Sequence, residues 1–432
     1  MSNKKSDMSV IQCLSATDKK VLMAIYNHRC LDDALIYEYF YKDDQKDQEY
    51  TEDRLDFFSS SGLIELVDYG GELPACFLTN FGIRTIKDVF DIPEETWDHD
   101  LGKLRPSMKA ASKLKLAPGK IRHQIHLNSF VLRFKKLAKD NGLSYKYYDE
   151  AFTGLFNTMR PDGIIELSSC DIFLEMDMAT ERADSLLRKW DHYRNYLKTK
   201  EYQYREKRTL IFFITGNVKR VRQRRDTVLS TLNRNLFDQV NANFDIYIGD
   251  EDRLMAILKD QFIDRYSDFS TRLLQLKELL FYSHGFTSSM AYNLVTSMQE
   301  VPFDLYIRRL NERQNIVVKD GRAQEFLVDC YINEPVSILQ KIAFYRASAV
   351  CVQAQFGREI PYLVVVEDPK SIYRDLSVLD IRSVENVFFT TVQRLKTMAL
   401  CEAVFAFDGV GNMYHYTDDA FNKPVFEQKM RI

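Results

Sequence analysis

The chain has 432 residues, a formal net charge of −3, and a composition that is 45% hydrophobic and 13% aromatic. This length predicts about two to four domains with folded cores. No apolar run reaches the length of a signal peptide or of a membrane helix, so the sequence predicts a soluble, cytoplasmic protein that does not contact membranes. The seven cysteines are scattered and include no C-x-x-C pair, which argues against a disulfide framework or a zinc ribbon.

Residues 15–92 have the pattern of a winged helix-turn-helix. Apolar residues recur at helical spacing in two segments, and a third helix follows that Gly62 can end. Leu63–Val67 and Ala75–Leu78 read as strands on either side of a Gly-Gly turn, which would form the wing. A closing helix follows, for which Thr79 is a candidate N-cap.

A winged helix normally places its third helix in the major groove of DNA. The corresponding helix here carries Glu52, Asp53, Arg54 and Asp56, so its face is negative and would repel phosphates. Two interpretations stay open for this module. It reads DNA through this helix, or it serves dimerisation or binds a protein partner while the wing or the following segment touches DNA.

The positive charge of the chain is concentrated between Lys103 and Lys139, where eleven lysines and arginines occur without an aspartate or glutamate. The first part of this segment lies in a basic linker predicted at 93–120 and expected to be extended or mobile. A polyanion such as double-stranded DNA is the ligand that such a segment fits, and a solvated linker and helix face is the alternative. The predicted DNA contacts in this segment are Lys103, Arg105, Lys109, Lys113, Lys115, Lys120, Arg122, Arg133 and Lys136.

Residues 121–258 are predicted to form an α/β domain, in which a helix that Gly142 ends leads into a hairpin. On the second strand of this hairpin, Glu175 and Asp177 share one face, and Asp162 stands at the mouth of the first strand. Three carboxylates at one strand end are suitable ligands for Mg²⁺, because this cation prefers oxygen and keeps waters that can attack a phosphodiester. Asp162, Glu175 and Asp177 are therefore the candidate metal and catalytic residues.

This hairpin resembles the P-D…(D/E)-x-K signature of the restriction-endonuclease-like superfamily, with Pro161, Asp162 and Glu175 in place. Where that family has a lysine, this chain has Asp177, which cannot offset the negative charge of the transition state. Lys189 on the following helix is the candidate substitute. The alternative is that Glu175 and Asp177 are structural, paired with Lys189, Arg182 or Arg188.

A degenerate second copy of this α/β domain is predicted at 259–432. Residues 164–216 align with residues 316–368 without a gap, pairing Asp177 with Asp329 and Lys189 with Lys341. In this alignment Gln314 stands at the Asp162 position and Leu327 at the Glu175 position, so the second copy is expected to lack a metal site.

A second basic cluster flanks the strand at 210–215 of the first copy. It is either a phosphate-lined edge or a solvated helix face. The predicted DNA contacts in it are Arg220, Arg222, Arg224 and Arg225.

The succession F-L-T-N-F-G, H-Q-I-H-L-N-S-F, R-P-D-G and F-L-E-M-D-M-A-T-E, followed by a Lys/Tyr-rich helix, resembles the replication-relaxation family of plasmids and conjugative elements. The resemblance covers about residues 15–230. It implies a role in processing plasmid or mobile-element DNA at an origin. It also makes Asp162, Glu175, Asp177, Thr180 and Lys189 the core positions.

Three hypotheses follow for the function. The first is a DNA-binding protein that initiates or regulates replication or transfer, whose nuclease-like core binds DNA without cutting it. The second is a Mg²⁺-dependent endonuclease or nickase that acts through Asp162, Glu175, Asp177 and Lys189. The third is a protein-interaction scaffold or transcription regulator. A homodimer is compatible with each of them.

Overall fold

The fold was analysed in a computed structural model, which describes residues 8–431 with several gaps. The gaps are residues 71–73, 99–102, 153–157, 180, 217–220, 242, 264–270, 296–299, 320 and 382–384. Arg220 and Thr180 therefore lie outside the described residues.

The N-terminal part contains the helices and the two wing strands that the sequence predicts, in the predicted order, together with a short strand, β1, that it does not predict. They are α1 (Ala16–His28), β1 (Leu31–Asp32), α2 (Asp33–Ile36, continued by helical turns to Asp44), α3 (Gln48–Ser60), β2 (Ile64–Val67), β3 (Ala75–Leu78) and α4 (Asn80–Val89). The three strands form a sheet in the order β1-β3-β2, with both pairs antiparallel.

Local signals explain where these elements begin and end. Ser15 and Asp18 form a capping box at the start of α1, in which each side chain accepts a hydrogen bond from the other's backbone N–H. The Thr79 side chain accepts from the N–H of Gly82, so its predicted role as the cap of α4 is confirmed. Gly62, which follows α3, has a φ of 77°, a backbone conformation that glycine adopts without steric cost.

The segment 93–120 differs from the extended linker that the sequence predicts. It contains the antiparallel hairpin β4 (Glu95–Asp98) and β5 (Lys103–Pro106) and the short helix α5 (Ala111–Leu114). Met108, Leu114 and Leu116 are buried in the same core cluster as residues of α1. The apolar side chains at these three positions hold the segment against the core. The many Lys, Ala and Pro residues around them led the sequence analysis to a linker instead.

The next part of the chain alternates helices and strands. Its elements are α6 (Pro118–Asp140), β6 (Lys146–Asp149), β7 (Gly163–Glu166), β8 (Cys170–Asp177), α7 (Ala183–Leu197), α8 (Lys200–Gln203), β9 (Arg208–Thr215), α9 (Val221–Asn235), β10 (Phe244–Gly249) and α10 (Glu251–Leu258). The five strands form one sheet in the order β10-β9-β8-β7-β6. The pair β9–β10 is parallel, and the pair β6–β7 is antiparallel.

The last part of the chain builds an eight-stranded sheet in the order β11-β12-β15-β16-β17-β18-β19-β20. Its helices are α11 (Thr271–His284), α12 (Val336–Phe356), α13 (Pro369–Val378), α14 (Val392–Thr397) and α15 (Leu400–Ala403). Its strands, with the separate hairpin β13–β14, are β11 (Thr287–Val295), β12 (Glu300–Arg308), β13 (Val318–Lys319), β14 (Arg322–Ala323), β15 (Glu325–Cys330), β16 (Tyr362–Val366), β17 (Val387–Thr391), β18 (Phe405–Phe407), β19 (Asn412–Tyr416) and β20 (Pro424–Lys429).

The same succession of elements occurs twice. The run β8-α7-β9-α9-β10 corresponds to β15-α12-β16-α13-β17, in the register that the gapless sequence alignment predicts for its first three elements. In both runs the last two strands pair in parallel. One strand does not fit the gapless alignment. The strand that pairs with β15 is β12, which precedes the aligned residues. Gln314 therefore does not take the position of Asp162.

By its internal contacts the chain divides into two units. The first is Met1–Glu166 with Met176–Met178, and the second is Leu167–Glu175 with Ala179–Ile432. The predicted domain boundaries after residues 92, 120 and 258 stay predictions. Within the described residues, no helix is both long and apolar enough to cross a membrane.

Candidate functional site

The outer face of α6 carries much of the predicted basic surface of the first unit. Arg122, Arg133 and Lys136 are spaced so that they fall on one side of this helix. Arg122 and Lys136 are exposed and Arg133 is half-buried. At 1.5 Å per residue, the stripe from Arg122 to Lys136 is about 21 Å long. Several consecutive phosphates of one DNA strand fit within this length.

Further cations of the segment are exposed beside this stripe. Lys113 and Lys120 are exposed on α5 and on the first turn of α6. Lys115 is also exposed but pairs with Glu65 on β2, and Lys136 pairs with Asp43 at 3.4 Å. Such exposed ion pairs stabilise little, so phosphates can compete for these two lysines.

Three of the predicted DNA contacts, Lys103, Arg105 and Lys109, differ from the exposed cations of α5 and α6. The side chain of Lys109 donates to the carbonyl of Ala151, and burial together with nearby Arg29 lowers the pKa of its ammonium group. Lys103 and Arg105 lie on β5, and their side chains fall outside the described part of the chain. None of these three residues therefore contributes to the argument for an interface.

The opposite face of α6 is fixed by a buried polar cluster. Asn128 donates to the carbonyls of His28 and Cys30 at the end of α1, at 3.0 and 2.6 Å. Lys135 Nζ lies 2.8 Å from His28 Nε2, and burial lowers the pKa of Lys135 to about 8. Gln124 bridges Asn128 and Asp149, which extends the cluster to β6. These bonds hold α6 in one orientation, so its basic stripe is a fixed surface.

The third helix of the N-terminal part has the opposite charge. Glu49, Glu52, Asp53 and Asp56 recur at i, i+3, i+4 and i+7 along α3, and all four are exposed. Arg54, the cation on this helix, instead pairs with the buried carboxylate of Asp18 at 2.6 Å. The exposed face of α3 is therefore more acidic than the sequence indicates, which disfavours its docking on phosphates.

The predicted catalytic carboxylates fall into different units. In the second unit, Glu175 is buried and both of its oxygens have protein partners: Lys189 Nζ lies 2.7 Å from Oε2, and the Tyr193 hydroxyl donates to Oε1. Lys189 also lies 3.5 Å from Glu181. The structure thus brings Lys189 to Glu175, while Arg188 donates a hydrogen bond to the Ser185 hydroxyl.

In the first unit, Asp162 accepts a hydrogen bond from the backbone N–H of Met176 at 2.8 Å. The same carboxylate oxygen lies 3.3 Å from His123 Nε2, which is also 3.0 Å from the Met176 carbonyl. Asp177 is buried. Sequence reasoning missed His123 as the neighbour of Asp162, because a histidine on a preceding helix gives no spacing signal toward a strand distant in the chain.

Among the residues that the structure describes, no three His, Cys, Asp or Glu side chains are grouped so that they could hold a metal ion. The chemistry of the donors agrees with this, because a carboxylate oxygen that already faces a lysine ammonium is a poor ligand for a divalent cation.

The second basic cluster is mostly structural. Arg225 donates to the Ile248 carbonyl and pairs with Asp375 and Glu334 at 3.0 and 3.2 Å. Arg224 is buried and donates to the carbonyl of Glu181. Both guanidinium groups are engaged inside the protein, which argues against the predicted DNA contacts of Arg224 and Arg225. Arg222 is exposed.

The second copy has an acidic cluster that the alignment did not predict. Asp329 on β15 pairs with Lys341 of α12 and accepts from the Tyr362 hydroxyl at 2.6 Å. On β12, Asp304 accepts from the N–H of Cys330 at 2.8 Å, and its own N–H donates to Asp329. Asp304 thus binds a neighbouring strand as Asp162 does. An alignment extended with a gap to include β12 would have identified Asp304.

A comparison with known protein families matches residues 22–210 to the family described as replication-relaxation. This match confirms the resemblance seen in the sequence and extends from within α1 to the first part of β9. It links this part of the chain to the theme of replication. No curated protein matches the chain.

Proposed function

We propose that this protein binds double-stranded DNA during the replication or transfer of a plasmid or mobile element, and that it holds the duplex without cutting it. The observation that carries the proposal is the exposed basic stripe on α6, fixed from behind by the His28–Asn128–Lys135 cluster and lying inside the part of the chain that matches the replication-relaxation family. A fixed row of cations positions a protein on the phosphate backbone.

We infer that α1–α4 and β1–β3 form a winged helix that does not use its third helix on DNA. The β1-β3-β2 strand order supports the first part of this inference. The exposed carboxylates of α3 support the second, because they would face phosphates in the usual docking geometry. Contact through α6 avoids this repulsion.

Binding without cleavage is supported by the partners of Glu175. A carboxylate that orients Mg²⁺ and an attacking water needs an oxygen directed at the metal. Both oxygens of Glu175 instead face Lys189 and Tyr193, and the side chain is 3% exposed. This is the arrangement expected of a buried structural ion pair.

The test compares charge reversals by the salt dependence of DNA binding. Arg122→Glu and Lys136→Glu should each weaken binding to linear plasmid DNA, and removal of a phosphate contact should reduce the slope of log K against log salt by about 0.9. Lys20→Glu is the matched control, since Lys20 is exposed on α1, outside the Lys103–Lys139 segment. Equal effects of all three substitutions would contradict the proposal.

A second candidate function, the metal-dependent nickase, is favoured by one observation: Lys189 stands beside Glu175, where it could replace the missing family lysine. Incubation of the protein with supercoiled plasmid and Mg²⁺, Mn²⁺ or EDTA separates the two functions. Intact DNA with a salt-sensitive mobility shift supports binding. Metal-dependent relaxation that Glu175→Ala abolishes would establish the nickase instead.

A further inference from the structure

The helix α11 of the second unit has apolar side chains on two of its sides. Its inner side includes Leu273, Leu276 and Leu280, which are buried in the core cluster that also contains residues of β12 and β15. Leu274 and Phe281 lie on another side, about 20° apart around the helix axis, and are 41% and 51% exposed. A helix on the surface of a monomer normally has one apolar side, so a second one indicates a further contact.

The exposed apolar side is strongest at the C-terminal end of α11. Tyr282 is 81% exposed, and its ring meets that of Phe281 edge to face, with the ring centroids 5.1 Å apart. Single exposed apolar residues are ordinary on a protein surface, but two adjoining aromatic rings with Leu274 two turns earlier on the same helix form a patch. Aromatic residues are enriched in the contacts between proteins.

Two opposite charges stand between Leu274 and Phe281. They are Lys277, which is half-buried, and Glu278, which is exposed. Among the side chains that the structure describes, neither has an ion-pair partner. The stretch from Leu274 to Phe281 therefore reads apolar, cation, anion, apolar, and its centre lies between Lys277 and Glu278.

This order of residues is complementary to itself when it is reversed. A two-fold axis that passes between Lys277 and Glu278, perpendicular to the helix, places a second copy of α11 alongside the first in antiparallel orientation. Leu274 of each copy then lies at the level of Phe281 of the other, and Lys277 of each lies at the level of Glu278 of the other. Every interaction occurs twice, because one surface serves both copies. A parallel arrangement would instead place equal charges side by side.

We propose that the exposed side of α11 binds the same side of α11 in a second copy of this chain, which gives a two-fold symmetric dimer. The apolar residues supply the attraction, and the two Lys277–Glu278 pairs fix the orientation and register. One pair of helices of this length buries less than the roughly 1,600 Å² of a standard interface, so the expected dissociation constant is on the order of 10 μM. This inference does not rest on the proposed function, because it involves no contact with DNA.

The first experiment follows the full chain by sedimentation velocity, without DNA, from about 1 to 200 μM. The wild type should change from one copy to two over this range. Phe281→Asp should keep the chain monomeric throughout, because the dimer would have to bury two unpaired carboxylates. Val410→Asp is the matched control, since Val410 is 69% exposed in the turn before β19. Circular dichroism of both variants checks that the fold is kept.

The second experiment tests the register through its charges. Lys277→Glu and Glu278→Lys each bring like charges together at two places and should weaken the dimer about 5- to 20-fold. The two substitutions combined in one chain put opposite charges across the axis again and should return the dissociation constant to that of the wild type. Lys370→Glu is the control for a single charge reversal, since Lys370 is exposed on α13.

Three results would overturn the inference. They are a wild type that stays monomeric at every concentration, a dimer that persists in Phe281→Asp, and a double variant as weak as either single reversal. The inference is supported when Phe281→Asp abolishes the dimer and the double variant regains it while both controls behave as the wild type. No DNA is present in these measurements, so each result leaves the proposed function to its own test.

Discussion

In each run of the repeat, one carboxylate pairs with a lysine and accepts a hydrogen bond from a tyrosine hydroxyl. The two runs build this cluster from different sequence positions. The first run uses Glu175, Lys189 and Tyr193, and the second uses Asp329 with Lys341 and Tyr362. The lysines are aligned in sequence. The acid has moved by two residues along its strand, and the tyrosine comes from a helix in one run and from a strand in the other.

This difference teaches that the arrangement of charges is set by the fold rather than by aligned letters. Each lysine projects from the helix after the strand and meets whichever carboxylate the strand directs toward that helix, because an unpaired buried charge is costly. Asp304 of β12, the strand that precedes the second run, also lies with its carboxylate against β15. The cluster of the second run therefore carries more negative charge than that of the first.

Removing the lysine of the second run should have the largest effect. Lys341→Met leaves the buried carboxylates of Asp329 and Asp304 without their cation and should lower the free energy of unfolding by about 3–5 kcal/mol. Urea unfolding followed by circular dichroism measures this. Lys396→Met, at an exposed position of α14, is the control and should change the free energy by less than about 0.5 kcal/mol.

Asp304, the acid that β12 adds to the cluster of the second run, should make the stability of the protein depend on pH. Burial and the nearby Asp329 carboxylate raise the pKa of Asp304 from 3.8 to about 6. Since the folded state holds this proton more tightly, its stabilising contribution is complete below pH 3.8 and is lost as the pH rises through about 6.

Asp304→Asn mimics the protonated acid at every pH. Its free energy of unfolding, measured relative to the wild type, should rise from pH 3.8 to above pH 6 by about 2–3 kcal/mol and then level off. Unfolding curves of both proteins across this range test the sign. A difference that does not vary with pH would show that folding does not shift the pKa of Asp304.

The corresponding substitution in the first run should lower the free energy of unfolding by a smaller amount. Lys189→Met leaves Glu175 with the Tyr193 hydroxyl and should lower the free energy of unfolding by about 1–3 kcal/mol, because one buried charge rather than two loses its cation. The ratio of this loss to that of Lys341→Met, from the same urea titration, measures the difference between the clusters. A larger loss for Lys189→Met would reverse the comparison.

Removal of the tyrosine hydroxyls should have the smallest effect. Tyr193→Phe and Tyr362→Phe each delete one hydrogen bond to a carboxylate that keeps its lysine, at a cost of about 1–2 kcal/mol. Similar values in thermal unfolding would indicate that the two hydroxyls act alike despite their different elements. Tyr204→Phe, at a position that is 80% exposed, serves as the control.

Much of the fold followed from the sequence. Apolar periodicity and the Thr79 cap located α1–α4, the turn pattern located β2 and β3, and the gapless alignment placed β15, α12 and β16. Local patterns succeed there because capping and periodicity act within a few residues. The alignment failed at Gln314 because the hairpin β13–β14 is inserted in the chain between β15 and β12, the strand that pairs with β15.

The candidate sites were predicted less completely. The sequence identified Glu175 with Lys189 as a possible pair and located the basic segment that contains Arg122 and Lys136. It gave no sign that Arg225 is drawn into an ion pair with Asp375, since a run of arginines looks the same whether its side chains meet water or a distant aspartate.

The sequence by itself determined the order of elements, the repeat, the concentration of positive charge and the replication-relaxation resemblance. Only the tertiary structure decided which charges are exposed and which are paired. Arg54 and Arg225 turn inward to Asp18 and Asp375, whereas Arg122 stays exposed. The physical reason is that the energy of a charge depends on its surroundings, and those are set by residues far apart in the chain.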